Sequence, residues 1–171
     1  MTLRKQVAVA ALKRMMRTPM AALLLGASAS LAPMAQASEV DDSALAFVEE
    51  RHLGDSLGWL GYQVASRTVT FGTIVNAIGK TQAQTLVKDE LQRLQPQFQA
   101  QWDRNLAAAY AQAFTADELR ALNKGDDPPM LANKLRAKQN DVGMDMKARS
   151  ADLLRDFVTQ ALDNAQASLP H

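Results

Sequence analysis

The chain has 171 residues, with 19 basic side chains against 18 acidic ones and no cysteine. The missing thiols exclude disulfide staples, thiol nucleophiles, thiolate metal sites and haem held through thioethers, so stability must come from apolar packing. The positive charge lies at one end: Arg4, Lys5, Lys13, Arg14 and Arg17 all precede the first acid, Glu39. Without those five, 14 basic residues face 18 acidic ones, a balance that disfavours a DNA or RNA partner.

In chain order, the basic leader is followed by an apolar stretch from Met20 to Met34 that closes on Ala35-Gln36-Ala37. Basic segment, apolar segment and small-x-small site are the parts of a secretory signal, with cleavage expected between Ala37 and Ser38. A membrane anchor is the rival, but Gly26, Ser28, Ser30 and Pro33 interrupt the stretch, which falls short of the roughly 20 apolar residues that span hydrocarbon. The reading is residues 1–37 as signal peptide and 38–171 as a single helical domain, periplasmic or secreted, with no stable membrane anchor after cleavage. The leader is long, and a start at Met15 would give it a more usual proportion.

Ser38 to Asp42 reads as a polar, frayed entry, and Ser43 to Arg51 as a short helix broken by Gly54. From Asp55, Leu57, Leu60, Val64, Phe71, Ile74, Val75 and Ile78 fall mostly three, four or seven apart, the stripe of one long amphipathic helix ending near Gly79. Thr68-Val69-Thr70-Phe71 is β-branched enough to suggest a strand pair, but no Asn-Gly or Asp-Gly turn stands beside it. Gly54, Gly58 and Gly61 share a helical spacing. Such a strip either admits a neighbouring helix at close range or leaves a partner groove with Trp59 and Tyr62 beside it; close packing is the commoner use outside membranes.

Thr81 is positioned to cap the next helix, with Leu86, Val87, Leu91 and Leu94 inside, and Pro96 predicts a kink because proline has no N–H to donate. Phe98, Trp102, Leu106, Ala109 and Ala113 continue the stripe, so the two pieces read as one bent helix with glutamines on its wet side. Thr115-Ala116-Asp117-Glu118 is a capping box, with Phe114 and Leu119 placed as a hydrophobic staple. After a turn over Asp126-Asp127-Pro128-Pro129, Met130, Leu131 and Leu135 are expected to face inward. Asn140-Asp141 with Gly143 suggests a break, and a last helix from about Met144 carries Leu153, Leu154, Phe157, Val158, Ala161 and Leu162. The expected fold is all-α, a compact bundle of five to six helices, two of them long.

The string from Asn105 to Leu122 resembles the signature of a bacterial family of exported helical proteins, domain of unknown function twenty fifty-nine. The shared positions are Tyr110, Phe114, Thr115, Glu118, Leu119 and Leu122. The resemblance implies an all-helical fold and an envelope or secreted location, and brings no activity, cofactor or catalytic residue. It covers about eighteen residues. Downstream, where relatives carry a Phe-Tyr pair and a Ser-Pro-x-Gly turn, this chain reads Gly125-Asp126-Asp127-Pro128-Pro129, and only the proline and Lys134 keep comparable places. Capping and stapling account for every residue of the motif in structural terms.

No catalytic constellation, metal-ligand set or cofactor motif emerges. His52 and His171 stand far apart in sequence without triad or zinc partners. Met144, Asp145 and Met146 could be imagined around copper, which thioethers suit, but packing is the ordinary use of methionine. Asp126 with Asp127, or Glu49 with Glu50, are neighbours in sequence, whereas glycoside chemistry needs carboxylates facing across a cleft. The region of Asp141 and Gly143 lacks the alternating oxygen ligands of a calcium loop.

The functional expectation is a non-enzymatic module that binds a protein or peptide, with Gly58, Trp59, Gly61, Tyr62 and Trp102 as the partner groove. Homodimerisation through the glycine face is a further expectation. The alternative is an envelope-acting hydrolase with carboxylates contributed by separate helices. A concave apolar groove without converged titratable groups favours the first, and two facing carboxylates in a cleft favour the second.

Overall fold

A computed structural model describes residues 32–126 and 128–169. The leader before residue 32, with its apolar stretch up to Leu31, lies outside them, as do Asp127, Pro170 and His171. The described residues form six α-helices and no strand: α1 (Ala32–Glu50), α2 (Leu57–Ala65), α3 (Val69–Ile78), α4 (Lys80–Ala113), α5 (Ala116–Lys124) and α6 (Pro129–Ala167). The all-α expectation holds, with α4 and α6, of 34 and 39 residues, as the two long helices. None of the described helices is long and apolar enough to cross a membrane.

The architecture rests on α4 against α6, the most extensive helix contact, with α2 and α3 laid over both. Phe157 of α6, Leu57 of α2, Ile74 of α3 and Leu91 of α4 are among the largest fully buried side chains, and they place the core where these four helices meet. Each fully buried apolar side chain contributes about 1.5–3 kcal/mol, so these positions outweigh the surface ion pairs.

Helix boundaries differ from the sequence reading in four places, and one residue expected inside lies outside. Ser38 to Asp42 is helical rather than frayed, because α1 begins at Ala32 and Arg120 of α5 bonds both Glu39 (2.9 Å) and Ser43 Oγ (3.3 Å). The junction expected for cleavage lies within α1. The long helix expected from Asp55 to Gly79 is two helices. Thr68 separates them with φ −86° and ψ 155°: its Oγ1 accepts from Phe71 N–H (3.1 Å), capping α3, and donates to Ala65 C=O (2.8 Å), closing α2. The β-branched stretch that suggested a strand is therefore a helix entry, with Val69 88% exposed.

Thr81 lies inside α4, whose cap residue is Gly79 at φ 87°, a backbone conformation that favours glycine. Pro96 lies inside that same helix. The ring removes the N–H that Gln92 C=O would accept from, and both residues are exposed, so water can satisfy the carbonyl. The break expected at Asn140–Gly143 is absent. Val142, Met146 and Ser150 bury a stripe through this stretch and Lys138 bridges Asp141 at 2.8 Å, so packing overrides the ~1 kcal/mol propensity cost of glycine. Met130, expected inside, is 83% exposed in the first turn of α6, while Leu131 is buried.

The capping box around α5 forms as read: Glu118 N–H donates to Thr115 Oγ1 (3.3 Å) and Thr115 N–H to the Glu118 carboxylate (2.9 Å). The helix ends on Gly125 at φ 78°, where Gly125 N–H bonds Leu122 C=O and Asp126 N–H bonds Ala121 C=O, the paired bonds of a Schellman motif.

Candidate functional site

The glycine strip shows what surrounds α2. A Cβ at Gly61 would stand 2.6 Å from the Phe157 ring and 3.1 Å from Leu91, so this glycine is the place where α2 closes on α6 and α4. At Gly58 the nearest atom would be Gln95 Oε1 at 2.7 Å, and at Gly54 Asp103 Oδ1 at 1.7 Å. Gln99 ties this seam together: its Nε2 donates to Gly54 C=O (3.0 Å) and to Asp103 Oδ1 (2.8 Å), and its Oε1 accepts from Gln95 (2.9 Å). Along this flank, glycine serves close packing.

The five residues of the expected groove are therefore not gathered in one hollow. Gly58, Trp59 and Tyr62 line a depression of about 360 Å³ on the α4 flank of α2, with Lys88 Nζ 4.8 Å from the centre of the Tyr62 ring. Gly61 is buried on the inner face of α2, and Trp102 lines a different hollow on the α6 flank. Trp59 is 63% exposed, whereas Trp102 is buried and its Nε1 has no acceptor among the described residues.

The hollow that Trp102 lines measures about 560 Å³. Its walls are Leu53 and Ser56 before α2, Leu60 of α2, Leu106 of α4, and Gly143, Met146, Lys147, Ser150, Ala151 and Leu154 of α6. A second hollow, of about 310 Å³, shares Ala151 and Leu154 with it and continues past Val64, Val158 and Leu162 to Asp163. Together they make a trough along α6. From Gly143 to Asp163 the helix rises about 30 Å at 1.5 Å per residue. The periodicity is legible afterwards: residues 53, 56, 60 and 64 form one wall, and 143, 147, 150, 154, 158 and 162 the other, each at spacings of three or four. The sequence reading missed this wall because it placed a break at Gly143 and assigned Leu154 to the core face.

Charge is sparse here. Lys147 is the one ionisable residue lining the larger hollow, and it makes no ion pair or hydrogen bond among the described residues. At the far end Arg155 is engaged by Asp152 at 2.9 Å and Asp156 at 3.6 Å.

Among the described residues, the titratable groups raised as catalytic or metal candidates, and the perturbed carboxyl of Asp103, fall outside the trough. Burial pushes the Asp103 carboxyl above the usual aspartate range; the Gln99 bond opposes this and the Asp55 charge adds to it. Asp55 is also 3.7 Å from His52, an exposed side chain at φ 55°. Asp55 and Asp103 come from separate elements, but neither lines the trough or the Trp59 depression. Glu50 accepts from Asn123 at 2.6 Å. Met144 is 66% exposed, Met146 is buried with its sulfur accepting from Ser150 Oγ at 3.3 Å, and Asp145 is held by Arg149 at 2.7 Å, so these three do not converge. Among the described residues no three His, Asp or Glu side chains group as metal ligands.

The Tyr110–Leu122 motif knits four helices together. Tyr110 meets Phe47 of α1 edge-on at 5.1 Å and Phe114 at 6.0 Å, and burial raises its phenol above the usual range. Lys134 of α6 bonds Glu118 at 2.6 and 2.8 Å and lies 5.0 Å from the Phe114 ring centre. Burial alone would raise Glu118; the bonds from Lys134 and Thr115 outweigh it and hold the carboxyl below the usual glutamate range. Arg51 Nη2 donates to Leu122 C=O at 2.5 Å.

No family model, curated protein or solved structure matches the chain.

Proposed function

We propose that this protein is an exported, non-enzymatic binding module that receives an apolar segment of a protein or peptide partner in the trough between α2 and α6. The trough itself carries the reading: about 560 Å³ of concave, mainly apolar surface, extended by a second hollow, falls within the 300–1,000 Å³ usual for ligand sites. The larger hollow is lined mainly by apolar side chains, with Ser56, Lys147 and Ser150 beside them. The second is bordered by Thr68, Thr70, Arg155, Thr159 and Asp163 as well as its apolar residues. Asp163 is the one carboxylate lining either, so the arrangement supports recognition by shape and burial. Export rests on the basic leader, apolar stretch and Ala35-Gln36-Ala37 site, and kinship with the exported helical family on the Tyr110 to Leu122 string. Carboxylates for the hydrolase alternative lie outside the trough: Asp55 and Asp103 at the Gln99-bonded seam, Glu39 and Asp117 held by Arg120, and Asp141 and Asp145 held by Lys138 and Arg149 beside a separate hollow.

Nile red, a neutral apolar dye, tests the site. Ala151 is exposed on α6 and lines both hollows, so Ala151→Glu should abolish saturable dye uptake while the cooperative unfolding transition is retained. Trp59→Glu, on the opposite flank of α2, should leave uptake unchanged. Uptake that survives in Ala151→Glu, or is lost only in Trp59→Glu, contradicts the assignment.

A further inference from the structure

An apolar row of Leu154, Val158 and Leu162 runs along the trough, and one cation stands in its larger hollow. Lys147 lines that hollow and is unpaired among the described residues, whereas Lys134, Lys138, Arg149 and Arg155 on the same helix are each engaged by a carboxylate, and Arg136, also without an ion pair, is exposed and lines neither hollow. An ammonium left in that position favours an anionic group on whatever fills the apolar space beside it. Between Lys147 and Leu162 the helix rises about 22 Å, with Leu154 and Val158 along the way. A single hydrocarbon chain of fatty-acid length can lie in that distance.

We propose that the trough also binds a long-chain carboxylate, with the head at Lys147 and the tail laid past Leu154 and Val158 toward Leu162. Two features fix the orientation. Among the described residues the one unpaired cation lining the trough is Lys147, whereas in the second hollow Arg155 is already engaged by Asp152 and Asp156, and Asp163 would repel an anion. Affinity comes mainly from burying the tail, since each methylene removed from water contributes about 0.8 kcal/mol. The exposed head pair adds direction and a preference for negative charge. The inference rests on the binding reading in one respect, that the trough is open to guests. It goes beyond that reading in naming a small amphiphile that would compete with a partner's apolar segment for the same wall.

Trp102 supplies the readout. In the full-length chain carrying Trp59→Phe, Trp102 is the sole tryptophan and lines the hollow. Titration with dodecanoate at neutral pH should shift its emission saturably at one molecule per chain. Dodecanol, equal in length and uncharged, should bind about two- to fivefold more weakly, the range expected of one exposed ion pair. Lys147→Gln in the same background should remove that difference and leave dodecanol unaffected. Equal affinity for the two amphiphiles, or a preference for dodecanoate that survives Lys147→Gln, overturns the inference. Should Nile red saturate the trough while neither amphiphile binds, the carboxylate site fails and the binding reading stands; if none of the three enters, both fail.

Discussion

The two flanks of α2 are built on opposite plans. Toward α4, a Cβ at Gly58 or Gly54 would stand within 3 Å of Gln95 or Asp103, and the Gln99 amide bonds Gly54 C=O across the gap, so beyond the depression beside Trp59 this flank is closed. Toward α6, Leu60 and Val64 stand over an open trough, and the facing residues include Gly143, Ser150 and Ala151, whose small side chains leave space. Glycine thus has two uses in one molecule. On α2 it lets helices close, and on α6 it leaves a wall low. A sequence strip of small residues does not say which, because the answer depends on what stands opposite.

Paired glycine substitutions break the comparison most sharply. Gly61→Ala places a methyl 2.6 Å from Phe157, a fully buried ring with nowhere to move, and should destabilise the fold by about 1–3 kcal/mol in urea unfolding. Gly143→Ala meets nothing within 4 Å in the middle of α6 and should stabilise by about 0.5–1 kcal/mol through backbone entropy alone. Equal effects of one sign would mean that the two glycines do not differ in packing.

A smaller effect separates the closed seam from the α5 cap by pH. Asp103 has its folded pKa raised, chiefly by burial, so its contribution is full below the unfolded aspartate value of about 3.9 and is lost as pH rises through the folded value. Asp103→Asn should therefore raise the urea midpoint at pH 7, with the gain shrinking in acid. Glu118 has its folded pKa lowered, so the stability from its bonds to Lys134 and Thr115 is present above the unfolded glutamate value of about 4.3 and disappears as pH falls through the folded value. Glu118→Gln should lower the midpoint at pH 7 and converge with the parent in acid. A midpoint for Asp103→Asn below that of the parent at pH 7 would show that the seam needs the charge.

Much of the fold is legible in the sequence where local chemistry decides. The α5 cap is readable because Thr115 and Glu118 act within a few residues of each other. The split at Thr68 was missed because a threonine cap inside an apolar stripe leaves the period unbroken. The continuity of α6 through Gly143 was missed for the converse reason: local propensity argues for a stop, and only α4 packed alongside supplies the compensating burial. The site inherits both errors. Trp59, Gly58 and Tyr62 were legible as neighbours one turn apart, but Trp102 faces the other flank, and the wall from Met146 to Leu162 appears only once α6 is whole.

The most direct test is a map of amide shifts during a Nile red titration, read residue by residue on the isotope-labelled chain. The account predicts shifts concentrated at Leu53, Leu60, Trp102, Met146, Ala151 and Leu154, with Gly58, Trp59 and Gln95 unmoved. Shifts centred on Trp59 and Gly58, with the α6 wall silent, would contradict it and return the site to the α4 flank of α2.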